Sequence, residues 1–141
     1  MQVKVNDLMA PDVILATPYD TVGDLRSTML DEGVHAIPIV DATDVPLGIL
    51  TSSDLMKDVA PETCACEVMT TVPVFTVPQY SDIHVAARIM RNHKLHHIVV
   101  THEKQVVGIL SSYDFLQLVE EHRFVMKGAP TESDRHGEHR K

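Results

Sequence analysis

A chain of 141 residues has room for one compact domain or for two small repeats sharing a core. Its formal charge of -8 excludes the basic surface that sequence-independent binding to nucleic acid or to an anionic membrane needs. No apolar run approaches the roughly 18 residues of a membrane span, residues 1–7 carry no apolar signal core, and aromatics make up only 4%, so the core must be aliphatic with methionine as filler.

Residues 3–9 read as a short helical lead-in, ended by Ala10-Pro11-Asp12. Val13-Ile14-Leu15-Ala16 reads as a short apolar strand, stopped by Thr17-Pro18. Asp20 or Thr21 caps the next helix, on which Val22, Leu25, Met29 and Leu30 recur at helical spacing until Gly33 closes it. Ala36-Ile37-Pro38-Ile39-Val40 is a buried strand, and its Pro38 must sit where no ladder N–H is required. A polar turn at 41–44 leads into a strand at 45–50, and Thr51 opens a helix through Leu55, Met56 and Val59 to Pro61.

The order then starts again. Cys66-Glu67-Val68-Met69 matches the lead-in and Val74-Phe75-Thr76-Val77 the short strand. Ser81 caps a helix carrying Ile83, Ala86, Ala87 and Met90. Strands follow at 95–100 and 106–110 around a turn at 102–105, and Ser111 opens a last helix through Phe115, Leu118 and Val119. From residue 127 the composition is polar, and a disordered tail with solvated His136 and His139 is expected.

The duplication keeps register. Met9 and Met69 lie sixty positions apart. One extra residue near Thr71 makes the spacing sixty-one for Tyr19 with Tyr80, Met29 with Met90 and His35 with His96. One fewer in the second turn restores sixty for Gly48 with Gly108 and Asp54 with Asp114. Changes confined to loops are what a structural duplication leaves. The repeats are placed at 1–61 and 62–126, with the tail at 127–141. Each is too small to cover both faces of its sheet, so the two should pack on each other.

The most informative stretch is Gly48-Ile49-Leu50-Thr51-Ser52-Ser53-Asp54, which returns as Gly108-Ile109-Leu110-Ser111-Ser112-Tyr113-Asp114. It reads as a buried strand turning into a helix, with Thr51 and Ser111 at the cap and a carboxylate three residues on. A helix N-terminus offers free N–H groups to a phosphate, and an aspartate offers two acceptor oxygens to vicinal hydroxyls such as those of a ribose. The same residues also satisfy a plain capping box.

This duplicated pattern resembles the cystathionine-β-synthase (CBS) domain family in its tandem form, the Bateman module. The two corners carry the match, together with Val68-Met69, the 36–40 strand and His97-Ile98-Val99-Val100. The resemblance implies an α/β (α+β) fold of two βαββα repeats in a pseudo-twofold pair, often assembled as a homodimer. It implies clefts that take AMP, ADP, ATP, NAD or S-adenosylmethionine, with no required cofactor. Ribose would meet Asp54 and Asp114, and phosphate would meet Thr51, Ser111, His35 and His96. Adenine would lie near Ile14 and Phe75. Repeat one has Ala36 where the family often places a second basic residue; repeat two has His97, with Arg91 nearby, and His96, His97 and Lys94 would supply phosphate contacts at the Asp114 corner, which is the favoured site.

Other features point to less. Cys64 and Cys66, one residue apart, are not expected to form a structural disulfide framework, which indicates a reducing cytoplasm. As a metal pair, even with His84 or His93, they supply too few ligands. Met29, Met56, Met69 and Met90 read as core filler rather than a binding surface. No catalytic constellation or glycine-rich phosphate loop is present, so no enzyme is expected. The expected function is a stand-alone regulatory protein that senses an adenosine nucleotide and signals through an effector protein. A ligand-free dimerising interaction module is the alternative.

Overall fold

The computed structural model describes residues 2–71 and 74–121, so the polar tail expected from 127 lies outside the described residues. Two sheets form. Strands β1 (Ala36–Val40) and β2 (Pro46–Thr51) pair antiparallel, with Ile39 opposite Gly48. Strands β3 (Thr76–Pro78), β4 (His97–His102) and β5 (Gln105–Ser111) make the second sheet, β3 parallel and β5 antiparallel to β4. The helices are α1 (Val5–Leu8), α2 (Val22–Glu32), α3 (Ile83–His93) and α4 (Ser112–Glu120).

Local chemistry sets the helix ends. Thr21 caps α2 by accepting the Asp24 N–H at 3.2 Å, and Gly33 closes it with φ 67°. Asp82, not the expected Ser81, caps α3 by accepting the His84 N–H at 2.9 Å. Its carboxylate lies one residue nearer the first turn. The β1–β2 turn is held by Asp41, whose carboxylate accepts the Val45 N–H, then the N–H and hydroxyl of Thr43; these bonds hold its pKa below the ordinary value.

Two expected elements contract. The strand at 13–16 shrinks to a single parallel bridge, Ala16 with Ile39. There the Ala16 N–H bonds the Pro38 carbonyl and the Val40 N–H bonds Ala16. The next bond in that register would run from residue 38 to the Ile14 carbonyl, and proline has no N–H. Repeat two has Val99 at the matching position, and there β3 forms. The helix expected from Thr51 to Pro61 is only a 3-10 turn, Asp54–Met56, with Lys57 already extended. Beyond it the chain must run along the start of α2, where Pro61 and Thr63 carbonyls accept the Gly23 and Val22 N–H groups. Met56 is therefore 85% exposed rather than core filler, and Leu30 also faces out, whereas Met29 and Met90 are buried as expected.

The lead-ins cross over. The Val3 carbonyl accepts the Ile83 N–H, and Val5 and Asn6 N–H groups donate to Ser81 and Gln79. In mirror fashion the Thr63 carbonyl accepts from Val22, while Ala65 and Cys66 donate to Asp20 and Pro18. Each core is completed the same way. Val5 and Leu8 pack with Val77, Ile98 and Leu110 of repeat two. Ala65 and Val68 pack with Val22, Ile37 and Leu50 of repeat one. A third cluster, Val40, Val99 and Val106, joins the two sheets. No polar or charged side chain is buried among the described residues.

Cys64 and Cys66 are joined by a disulfide, where the sequence reading expects no structural disulfide framework. It clips one intervening residue at the crossing, so it links no two elements, and it removes the cysteine argument for a reducing compartment. So short a loop gives little entropic stabilisation: Cys64→Ser with Cys66→Ser should cost no more than about 1.5 kcal/mol. A denaturant midpoint comparison checks this, and a larger loss would make the bridge a structural anchor.

Candidate functional site

A cleft of about 570 Å³ opens between the repeats. One wall is the segment after α1, with Ala10, Asp12, Val13 and Ile14. The loop from α2 into β1 adds Val34, His35 and Ala36. Repeat two supplies His97 at the start of β4, Ile109 and Ser111 on β5, and Tyr113 and Asp114 at the start of α4.

The second corner is a complete capping box. The Ser111 N–H donates to Asp114 Oδ2 at 2.8 Å, and the Asp114 N–H donates to Ser111 Oγ at 3.3 Å. The Ser112 N–H donates to the His96 carbonyl. The cap thus fixes the Asp114 rotamer while its Oδ1 accepts no hydrogen bond from the described residues. The first corner is weaker as a cap: Asp54 Oδ2 accepts from the Thr51 N–H and hydroxyl, and Oδ1 lies 3.9 Å from Lys57 Nζ. No N–H of that turn returns to Thr51, and no α-helix follows.

The structure gathers five of the expected residues in the cleft: Asp114, Ser111, His97, His35 and Ile14. It does not bring Lys94 or His96 there. Both line a separate groove of about 480 Å³ between α3 and α4, beside Arg91 and Phe115. Phe75 stacks on His93 with ring centroids 4.2 Å apart. The Asp114 corner shares its cleft with the other repeat's histidine, His35. By the register of the repeats His96 and Phe75 are the counterparts of His35 and Ile14, but neither they nor Asp54 and Thr51 line this cleft. The sequence reading puts His96 and Lys94 with Asp114. It also missed Asp12 and Tyr113. Tyr113 occupies the variable position of the repeated motif, where repeat one has Ser53.

His97 is half-buried, and burial, then His96 and His35, lowers its pKa below the ordinary 6.5, with Asp114 opposing. As pH falls through that ordinary value the unfolded chain takes up the proton first, so His97 favours the folded state above about 6.5 and disfavours it below. The melting temperature should therefore fall on acidification from neutral pH. His97→Gln should flatten that decline; an unchanged profile would remove His97 as its source.

A family model for the CBS domain matches residues 5–61 and again residues 65–121. The chain belongs to the CBS domain family. Its two repeats form a CBS pair. Among curated relatives, the protein YlbB of Bacillus subtilis is 34% identical over 117 residues, covering 79% of this chain and 78% of YlbB. Three further relatives are longer, and the match spans 62%, 25% and 35% of their lengths. The CBS domain pair of protein MJ0100, solved in complex with 5′-methylthioadenosine and S-adenosylmethionine, superposes with a TM-score of 0.76 at 25% identity. That match covers 83% of this chain and 99% of the other. AcuB from Vibrio cholerae superposes with a TM-score of 0.79 at 28% identity, covering 87% and 96% of the two chains. No helix among the described residues is long and apolar enough to cross a membrane.

Proposed function

We propose that this CBS pair is a regulatory module that binds an adenosine compound in the cleft between its repeats and signals the change to a partner protein. The observation that carries this is Asp114. Its cap fixes the side chain with Oδ1 unused, in a cleft whose facing wall is the apolar run Val13-Ile14. A carboxylate oxygen held in advance is suited to the vicinal hydroxyls of a ribose, because little side-chain entropy remains to be lost. The bound ligands of the similar MJ0100 pair support an adenosine compound here. AMP, ADP, ATP, NAD and S-adenosylmethionine are the compounds to compare. Ligand would shift the relation of the two repeats, provided it binds one arrangement better than the other. Leu116 and Val119, 59% and 61% exposed on α4, are apolar positions suited to a homodimer contact.

The test is a thermal melt of the purified chain with each adenosine compound and with GTP as control. A ligand at about 100-fold excess over its Kd adds roughly 2.7 kcal/mol. A rise with an adenosine compound but not GTP is expected. A flat response to all of them at millimolar concentration would sink the ligand reading and leave a dimerising interaction module.

A further inference from the structure

We infer that the Asp114 cleft selects adenosine ligands whose 5′ substituent carries no net negative charge, such as a thioether or a sulfonium, over nucleoside phosphates. This rests on the adenosine reading above and goes beyond it to the ligand's charge.

The lining carries two carboxylates, Asp12 and Asp114, and among its described residues no lysine or arginine. Nucleotide sites ordinarily neutralise phosphate with guanidinium or ammonium groups, or with free N–H groups at a helix N-terminus. Arg91 and Lys94, the cations expected to serve this corner, line the separate α3–α4 groove instead. Most of the start of α4 is already engaged: Ser112 donates to the His96 carbonyl, Asp114 to Ser111, and the Asp114 carboxylate itself occupies the positive end of the helix, which leaves the Tyr113 N–H as the one first-turn donor without a partner among the described residues. The two imidazoles in the lining do not replace a fixed cation. Burial opposes a charge on His97, and His35 is exposed, where water and salt screen it. Apart from the uncharged hydroxyl residues Ser111, Ser112 and Tyr113, what remains around the carboxylates is apolar, including Val13, Ile14, Val34 and Ile109. A phosphate there would lose hydration without gaining a counter-charge, whereas a methylthio group would bury apolar surface and a sulfonium would meet the carboxylates.

The test is calorimetric titration of the full chain at neutral pH with 5′-methylthioadenosine, S-adenosylmethionine, AMP and ATP. The expected result is binding of the first two at least about tenfold tighter than the last two. Asp12→Lys reverses the charge of an exposed side chain. It should narrow that ratio severalfold by strengthening AMP and ATP binding. Equal or tighter binding of AMP or ATP by the unaltered chain would overturn the inference while the adenosine reading stands. Binding of none of the four would overturn both. A preference that Asp12→Lys leaves untouched would also overturn it, since charge would then not be its cause.

Discussion

Asp114→Ala should abolish the ligand-induced rise in melting temperature while the chain still folds. The side chain has two roles in the structure, and they use different oxygens. Oδ2 accepts the Ser111 N–H, and the loss of that capping bond should lower stability by about 1 kcal/mol. Oδ1 has no partner among the described residues, and its removal costs the fold nothing. Asp114→Asn separates the roles, because the amide keeps one acceptor oxygen for Ser111 but loses the charge and one acceptor. It should melt close to the unaltered chain and respond to ligand more weakly. If Asp114→Ala kept its full ligand response, the corner would be a helix cap and nothing more, and the ribose would have to bind elsewhere.

Gly108→Val should be among the most damaging single changes. A Cβ at this position would stand 2.5 Å from Met9 Sδ and 2.9 Å from the Ala10 carbonyl oxygen. The methionine can swing aside, but the carbonyl cannot. It belongs to a backbone whose Ala10 N–H donates to Ile109 at 2.9 Å and whose carbonyl accepts from Ile109 at 3.2 Å. Gly48 faces Thr70 and Met69 in the same way, with a Cβ 2.7 Å from the Thr70 carbonyl. Overpacking usually costs 1–3 kcal/mol, and a rigid backbone neighbour puts both valine variants at about 3 kcal/mol or more. For a chain this size that is a drop of about 10 °C in Tm. A Gly108→Val protein melting within a couple of degrees of the unaltered chain would show that the lead-in is not held against β5.

These two glycines show what was legible in the sequence and what was not. Their recurrence at constant spacing exposed the duplication, and the apolar periods gave most strands and helices. The sequence could not show why glycine is needed, because the reason lies in the other repeat. Spacing along the chain shows only which residues share a repeat, so it puts His96 and Lys94 with Asp114. The packing of the two repeats brings His35 there instead. The missing helix after Thr51 has a similar source: the corner motif is nearly the same in both repeats, but residues 57–63 are drawn off to bond the start of α2. Proline 38 carried a legible warning about its own strand. Its effect on the neighbouring segment at 13–16 appears only once the parallel register is known.

The crossing of the lead-ins has a consequence for how such a chain can be divided. Severed between residues 61 and 62, neither half would own the segment that closes its core: α1 would leave with the wrong sheet, and Ala65 and Val68 with the other. Each half alone should be largely unfolded, and the two mixed should rebuild the native far-ultraviolet circular dichroism. Two copies of one half could also complete each other by trading lead-ins. Seen this way, the molecule is a domain-swapped dimer written on a single polypeptide, with the linker converting a concentration-dependent association into an intramolecular one.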